Sequence, residues 1–287
     1  MPLSSYDCCL TRRRLAPHFH LPAGSPGAKD KRLMLRRFAL VYRLRAAGLH
    51  LLISVSVAAV AAGVMFSFWY PGMYRSVSGG QELFVLVTSI DVVLGPLLTF
   101  AVFNLDKGWR RLRRDLVFIG AVQVAALAYG LHVIFETRPV AMVFEVDRFR
   151  VLVAADVYAS ELPMALPEYR RLPLAGPWLI GTREPKAGSE HNDAIFMGLQ
   201  GIDRANRPKF WQPYAASLPA VIRKSRPVGV LLAHYSARAA ELRSGLVGMH
   251  AEEASARFLP LAARDDWVIV LDSSGKVLGH LKADGFF

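Results

Sequence analysis

Cysteine is nearly missing from this chain of 287 residues: Cys8 and Cys9 are adjacent and stand close to its start. A structural disulfide, a zinc cluster of Cys ligands and a CxxC redox centre are therefore excluded from everything that follows them. Signatures of catalysis are equally scarce. There is no Gly-rich phosphate loop and no GxSxG elbow, and His191, His234, His250 and His280 fall at no spacing that fits a metal site. Asp156, Glu161, Glu168 and Asp203 show no pairing along the sequence, nor do Ser217, Ser273 and Ser274. The expectation is a binding or assembly protein, with no catalytic residues, no cofactor and no metal.

Acid is in short supply too, 23 Asp and Glu against 35 Lys and Arg, a formal charge of +12. Spread over a soluble surface, such an excess would point to nucleic acid. Here it is gathered instead, in Arg36, Arg37, Arg43 and Arg45, and again in Lys107, Arg110, Arg111, Arg113 and Arg114. That clustering argues against a nucleic-acid partner and for a topology signal beside a bilayer.

Apolar residues are abundant, at 53%. Leu49–Tyr70, Leu83–Phe103 and Leu116–Phe135 are continuous apolar runs, and at about 1.5 Å per helical residue each reaches roughly 30 Å, the thickness of a hydrocarbon core. The sequence thus predicts a multi-pass membrane protein embedded in a lipid bilayer. Charge bias places the N-terminus and the second connection in the cytoplasm, and three spans then put the rest in the periplasm of a bacterial inner membrane.

The expected organisation is a cytoplasmic basic leader over residues 1–48, a membrane domain over 49–135 with spans at about 49–70, 83–103 and 116–135, and a periplasmic α+β domain over 139–287. Residues 1–33 read as disordered, with Met34 a plausible start. Pro71-Gly72 turns the chain, and Ser76–Gly80 reads as a flexible periplasmic connection.

One carboxylate interrupts the second span. Asp91 lies about eight residues in, roughly 12 Å deep, where it should face protein or water. Gly95-Pro96 follows it and predicts freed carbonyls and a kink. Gln123 and Tyr129 of the third span are the expected partners. A partner-binding site and a polar clamp between helices are both compatible with this pattern.

Beyond Arg138-Pro139 the apolar runs become short and alternating. Strands are predicted at 140–146 and 149–154 around an Asp147-Arg148 turn, at 178–182, and at 257–262, 267–271 and 276–281. Leu162–Pro177 reads as a short helix in a rigid loop. Helices are predicted at 190–201 with Ser189 as N-cap, at 215–224, at 229–242 and around 252–256. With strands at both ends and helices between, the domain should carry one antiparallel sheet. Trp211 and Tyr214 could form an exposed contact patch or plug the edge of the core.

Several stretches together resemble the TfpX/TfpZ family of type IV pilin accessory proteins: GLHLLISVSVAAV with its WYPG exit, DVVLGPLLTFAVFN, RRLRRDL, and AALAYGLHVIFETRPVAMVFEVDRFRVLVAADV. The resemblance implies a non-catalytic, chaperone-like role in the stability or assembly of a cognate type IV pilin subunit. Asp91, Gly95 and Pro96 match its membrane motif, and Arg138, Pro139, Asp147, Arg148, Phe149 and Arg150 match the stretch after the third span, without assigned roles. A membrane-anchored periplasmic ligand-binding sensor or hydrolase is the alternative.

Overall fold

The computed structural model describes residues 26–104 and 108–287, with side chains from Arg37 onward. Cys8, Cys9, most of the leader and Lys107 lie outside the described residues. Helix α1 (Pro26–Val64) passes into a single π turn at Met65–Trp69, and α2 (Tyr74–Val77) is one short turn. Two more long helices follow, α3 (Gly80–Val102) and α4 (Trp109–Glu136). Residues 26–33, expected to be disordered, are helix.

Among the described residues, three helices are long and apolar enough to cross a membrane: Arg37–Trp69, Gly80–Val102 and Trp109–Glu136. Helix α3 is continuous through Pro96. It packs along both α1 and α4, which flank it and barely touch each other.

Beyond α4 the chain turns at once into β1 (Pro139–Glu145) and β2 (Arg148–Val153), joined by Val146 and Asp147, one residue earlier than predicted. A strap of 3-10 turns at Ala159–Met164 and Pro167–Tyr169 leads to β3 (Trp178–Thr182). Helix α5 (Ser189–Leu199) starts after Gly188; Ser189 is its first residue and makes no cap. Next come β4 (Trp211–Pro213), α6 (Tyr214–Lys224) and the two-residue β5 (Arg226–Pro227). The helix predicted over 229–242 is divided into α7 (Val228–His234) and α8 (Ala239–Gly248) by a 3-10 turn, and 252–256 is a turn rather than a helix. The chain closes with β6 (Arg257–Ala262), β7 (Trp267–Leu271) and β8 (Val277–Leu281).

The strands form one sheet in the order β4-β3-β1-β2-β6-β7-β8, with β5 beside β6. The sheet is mixed, not antiparallel: β1 runs parallel to β3, and β2 parallel to β6. The cause lies in the long returns. A hairpin can join only antiparallel strands, whereas the strap before β3 and the helices before β6 carry the chain back across the sheet, so each strand enters in its neighbour's direction.

Apolar side chains fill both faces. Val228, Leu231, Leu242, Leu246 and Phe258 form one cluster, and Val140, Val143, Leu152, Ile180 and Trp211 another. Each fully buried side chain of this size contributes about 1.5–3 kcal/mol.

The connection between α1 and α3 is no loose loop. Val77 is fully buried in a cluster with Met142, Phe149, Leu261 and Ile269 of the sheet, and Met73 and Tyr74 pack against it. The sheet domain is thereby clamped between this connection and the end of α4.

Candidate functional site

The clamp begins at the π turn. Its wider winding lets the Tyr70 N–H reach the Met65 carbonyl at 2.9 Å and swings the Tyr70 ring inward. The ring lies where a Cβ on Gly80 would sit, 2.3 Å from its Cε1, so no larger residue fits there. The Tyr70 hydroxyl donates to the Thr137 carbonyl at 2.9 Å and approaches the Ile134 carbonyl at 3.3 Å, which ties the exit of α1 to the exit of α4.

Arg138 sits directly after this junction and is buried. It donates to the Phe135 carbonyl at 2.7 Å and covers the Phe135 ring at 3.7 Å. Burial lowers its pKa below the usual guanidinium value, while Glu136 and Tyr70 oppose that shift. Gly176 N–H donates to the Phe68 carbonyl at 2.7 Å, adding a link from the sheet domain's strap to the first long helix. Arg264 pairs with Glu82 at 2.7 Å on the exposed side.

Deeper in the helices, α1 and α4 flank α3 without packing on each other, and a cavity of about 180 Å³ lies between them. Asp91 lines it together with His50, Ser54, Thr88 and Gln123. Val57 and Leu127 also border an adjoining apolar hollow that runs up to Trp69 and Leu131. Sharing Val57 and Leu127, the two form one groove between α1 and α4, floored by α3 at its polar part.

Gln123 defines the polar end of the groove. Its Nε2 donates to the Asp91 main-chain carbonyl at 3.3 Å, and its Oε1 is buried without a hydrogen-bond partner. It takes the space that a side chain at Gly95 would need, since a Cβ there would lie 2.1 Å from Nε2. Tyr129, the other expected partner, is 71% exposed and turned away from the bundle. Pro96 is half-buried beside Gly95.

His50 is a polar residue that the first apolar run, free of Lys, Arg, Asp and Glu, does carry and that was not among the expected site residues. Its Nδ1 lies 2.5 Å from Oγ1 of the buried Thr99, linking α1 to α3. A polar, titratable ring within an apolar run is itself the signal that could have found it.

The remaining sequence candidates lie elsewhere. Asp147 and Arg148 pair at 2.8 Å at the hairpin tip, partly exposed, with Arg148 4.8 Å from the Phe286 ring. Trp211 is 2% exposed, with Nε1 donating to the Ala205 carbonyl at 2.7 Å. Tyr214 donates to the Gly275 carbonyl at 2.5 Å and is half-buried; burial, with Asp272 adding to it, raises its pKa to about 12. The two therefore do not join in an exposed patch.

A groove lined by a carboxylate, within long apolar helices tied to a sheet domain, defines a class: a membrane-associated protein whose sheet domain is packed against its helices rather than joined to them by a flexible linker. Comparison with known proteins gives the family. The chain is 34% identical to the fimbrial assembly protein of serogroup I from Dichelobacter nodosus over 86% of its own length and 97% of that protein's. It is 33% identical to the serogroup E1 counterpart over the same shares. Residues 38–79, which include the clamp's Tyr70 and Val77, match the family model described as fimbrial assembly protein FimB. No solved structure matches. The chain belongs to the fimbrial assembly protein family, and its role lies in pilus biogenesis.

Proposed function

We propose that this protein is a non-catalytic, chaperone-like accessory of the type IV pilin accessory kind, and that it holds a cognate pilin subunit in the bacterial inner membrane before assembly. In this reading the basic ends face the cytoplasm, the sheet domain stands in the periplasm, and the groove between α1 and α4 takes the subunit's apolar helix.

The observation that carries the reading is the groove itself. Its long wall is apolar, as a helix in lipid requires, and small residues such as Ala58 and Ala61 permit close approach. Asp91 lines the groove, a carboxylate that an occupant able to donate hydrogen bonds would satisfy and an acyl chain would not. The clamp holds the sheet domain at a set position above the groove, so that helix and head of one subunit can be gripped together.

Deletion of the gene in a fimbriated host, with complementation by wild type, Asp91→Asn and Asp91→Leu, tests this. The reading expects few or no fimbriae in the deletion strain, restoration by wild type and weak restoration by Asp91→Leu. Equal restoration by all three variants would refute the role given to the groove.

A further inference from the structure

At the end of α4 remote from the sheet domain, Arg110, Arg113 and Arg114 share one face of the helix, at the i, i+3 and i+4 spacing that brings side chains together. Val117, Phe118 and Ala121 continue the same face one and two turns further on. With Trp109 these residues line a concavity of about 620 Å³. The face points away from the bundle: Leu112 and Ile119, on the opposite side of the helix, are buried, whereas Trp109 is 70% and Phe118 71% exposed. Among the described residues, none of the three arginines forms an ion pair.

A charge bias that served only to set topology would need positive residues and no particular facing. Here the three arginines share one exposed face of α4 and pass directly into an apolar wall, with the Trp109 indole on their far side. We infer that this stripe is a binding site for an anionic phospholipid, its phosphodiester gripped by Arg110, Arg113 and Arg114 and one acyl chain lying along Val117, Phe118 and Ala121. Guanidinium suits this ligand because its planar fork gives two parallel hydrogen bonds to a phosphate. The phosphate supplies the negative charge that the stripe lacks, and the apolar wall supplies what a free phosphate could not use. The inference does not depend on what occupies the groove between α1 and α4.

The test is native mass spectrometry of the full chain in detergent, titrated with phosphatidylglycerol and, separately, with phosphatidylcholine. Phosphatidylglycerol should bind at least tenfold tighter, and millimolar inorganic phosphate should leave it bound. R110Q/R113Q/R114Q should lose at least tenfold, and R111Q, whose side chain is outside the lining of the concavity, less than twofold. Because removing three positive charges could disturb insertion, R110K/R113K/R114K serves as the second variant. It keeps the charge that sets topology and should still lose about threefold, since an ammonium offers no fork. Equal affinity for the two lipids, displacement by inorganic phosphate, equal losses in R111Q and the triple Gln variant, or an undiminished Lys variant would each overturn the assignment.

Discussion

Tyr70 and Thr137 close the top of the helix bundle: the phenol of the first, at the exit of α1, donates to the main-chain carbonyl of the second, at the exit of α4, at 2.9 Å. One hydrogen bond thus joins the first and third long helices where the sheet domain begins. Tyr70→Phe should cost about 1–2 kcal/mol, because buried carbonyls lose their donor while the packing stays. Thermal unfolding of the full chain in detergent measures it, and an unchanged midpoint would show that the bond contributes nothing.

Val77 is the other half of the clamp. Val77→Asp would place a charge with no described counter-ion in the cluster of Met142, Phe149, Leu261 and Ile269, at a cost of at least ~3 kcal/mol. The sheet domain should loosen from the helices, so proteolysis and hydrogen exchange should rise around residues 70–80 and 136–139. Val77→Ala should show the same effect in weaker form.

Gly95 and Gln123 form a size-complementary pair. Gly95→Ala would displace the Gln123 amide from the Asp91 carbonyl, since the new Cβ would lie 2.1 Å from Nε2. A loss of about 1–2 kcal/mol is expected. In a Gln123→Ala background the same substitution should cost much less, and the double-mutant cycle reports the difference. Additive losses would mean that the two residues are uncoupled.

Arg207 is 2% exposed and meets Glu161 and Asp193 at 2.6 Å each, while Lys209 meets Asp193 at 2.9 Å. The network fastens the strap to α5, a helix with no buried residue of its own. Arg207→Ala leaves the Glu161 carboxylate buried beside Lys209 alone, and about 3–5 kcal/mol of destabilisation follows. Arg207→Met with Glu161→Leu should recover much of that loss, as read by chemical denaturation.

Glu190 gives a pH dependence. Hydrogen bonds from Arg183, at 2.7 Å, and from the Lys186 N–H hold its pKa down at about 2, against an ordinary value of 4.5. A carboxylate with a depressed pKa binds protons more readily unfolded than folded, so its contribution is full above pH 4.5 and fades as pH falls toward 2. For this partly exposed pair about 1 kcal/mol is at stake. Glu190→Gln should be less stable than wild type at pH 6 and equal to it near pH 2.

Much of the helix bundle and most strands were legible in the sequence because each leaves a local mark: an apolar run of membrane length, or a short alternating one between turns. The parallel neighbours β3 and β6 were not. Pairing of Phe149 with Leu261 depends on how a long helical return crosses the sheet, and nothing near either residue records it. Val77 was hidden for a related reason, standing in a short Ser- and Gly-rich connection whose apolar residue finds its partners only once the sheet exists. Asp91 and Gly95 stood out as polar and small residues in an apolar run, and the helix pairing then decided that Gln123, not Tyr129, meets them.

The central claim is that the groove between α1 and α4 holds a fimbrial subunit. It is tested most directly by in-cell photocrosslinking in the native host, with the photoreactive residue placed at Val57 or Leu127 in the groove and at the outward-facing Tyr129 as control. The account predicts that the pilin subunit is captured from Val57 and Leu127, that Tyr129 captures little, and that Asp91→Leu weakens capture. Recovery of no pilin from the groove positions in a host shown to express it, or equal recovery from Tyr129, would contradict the account.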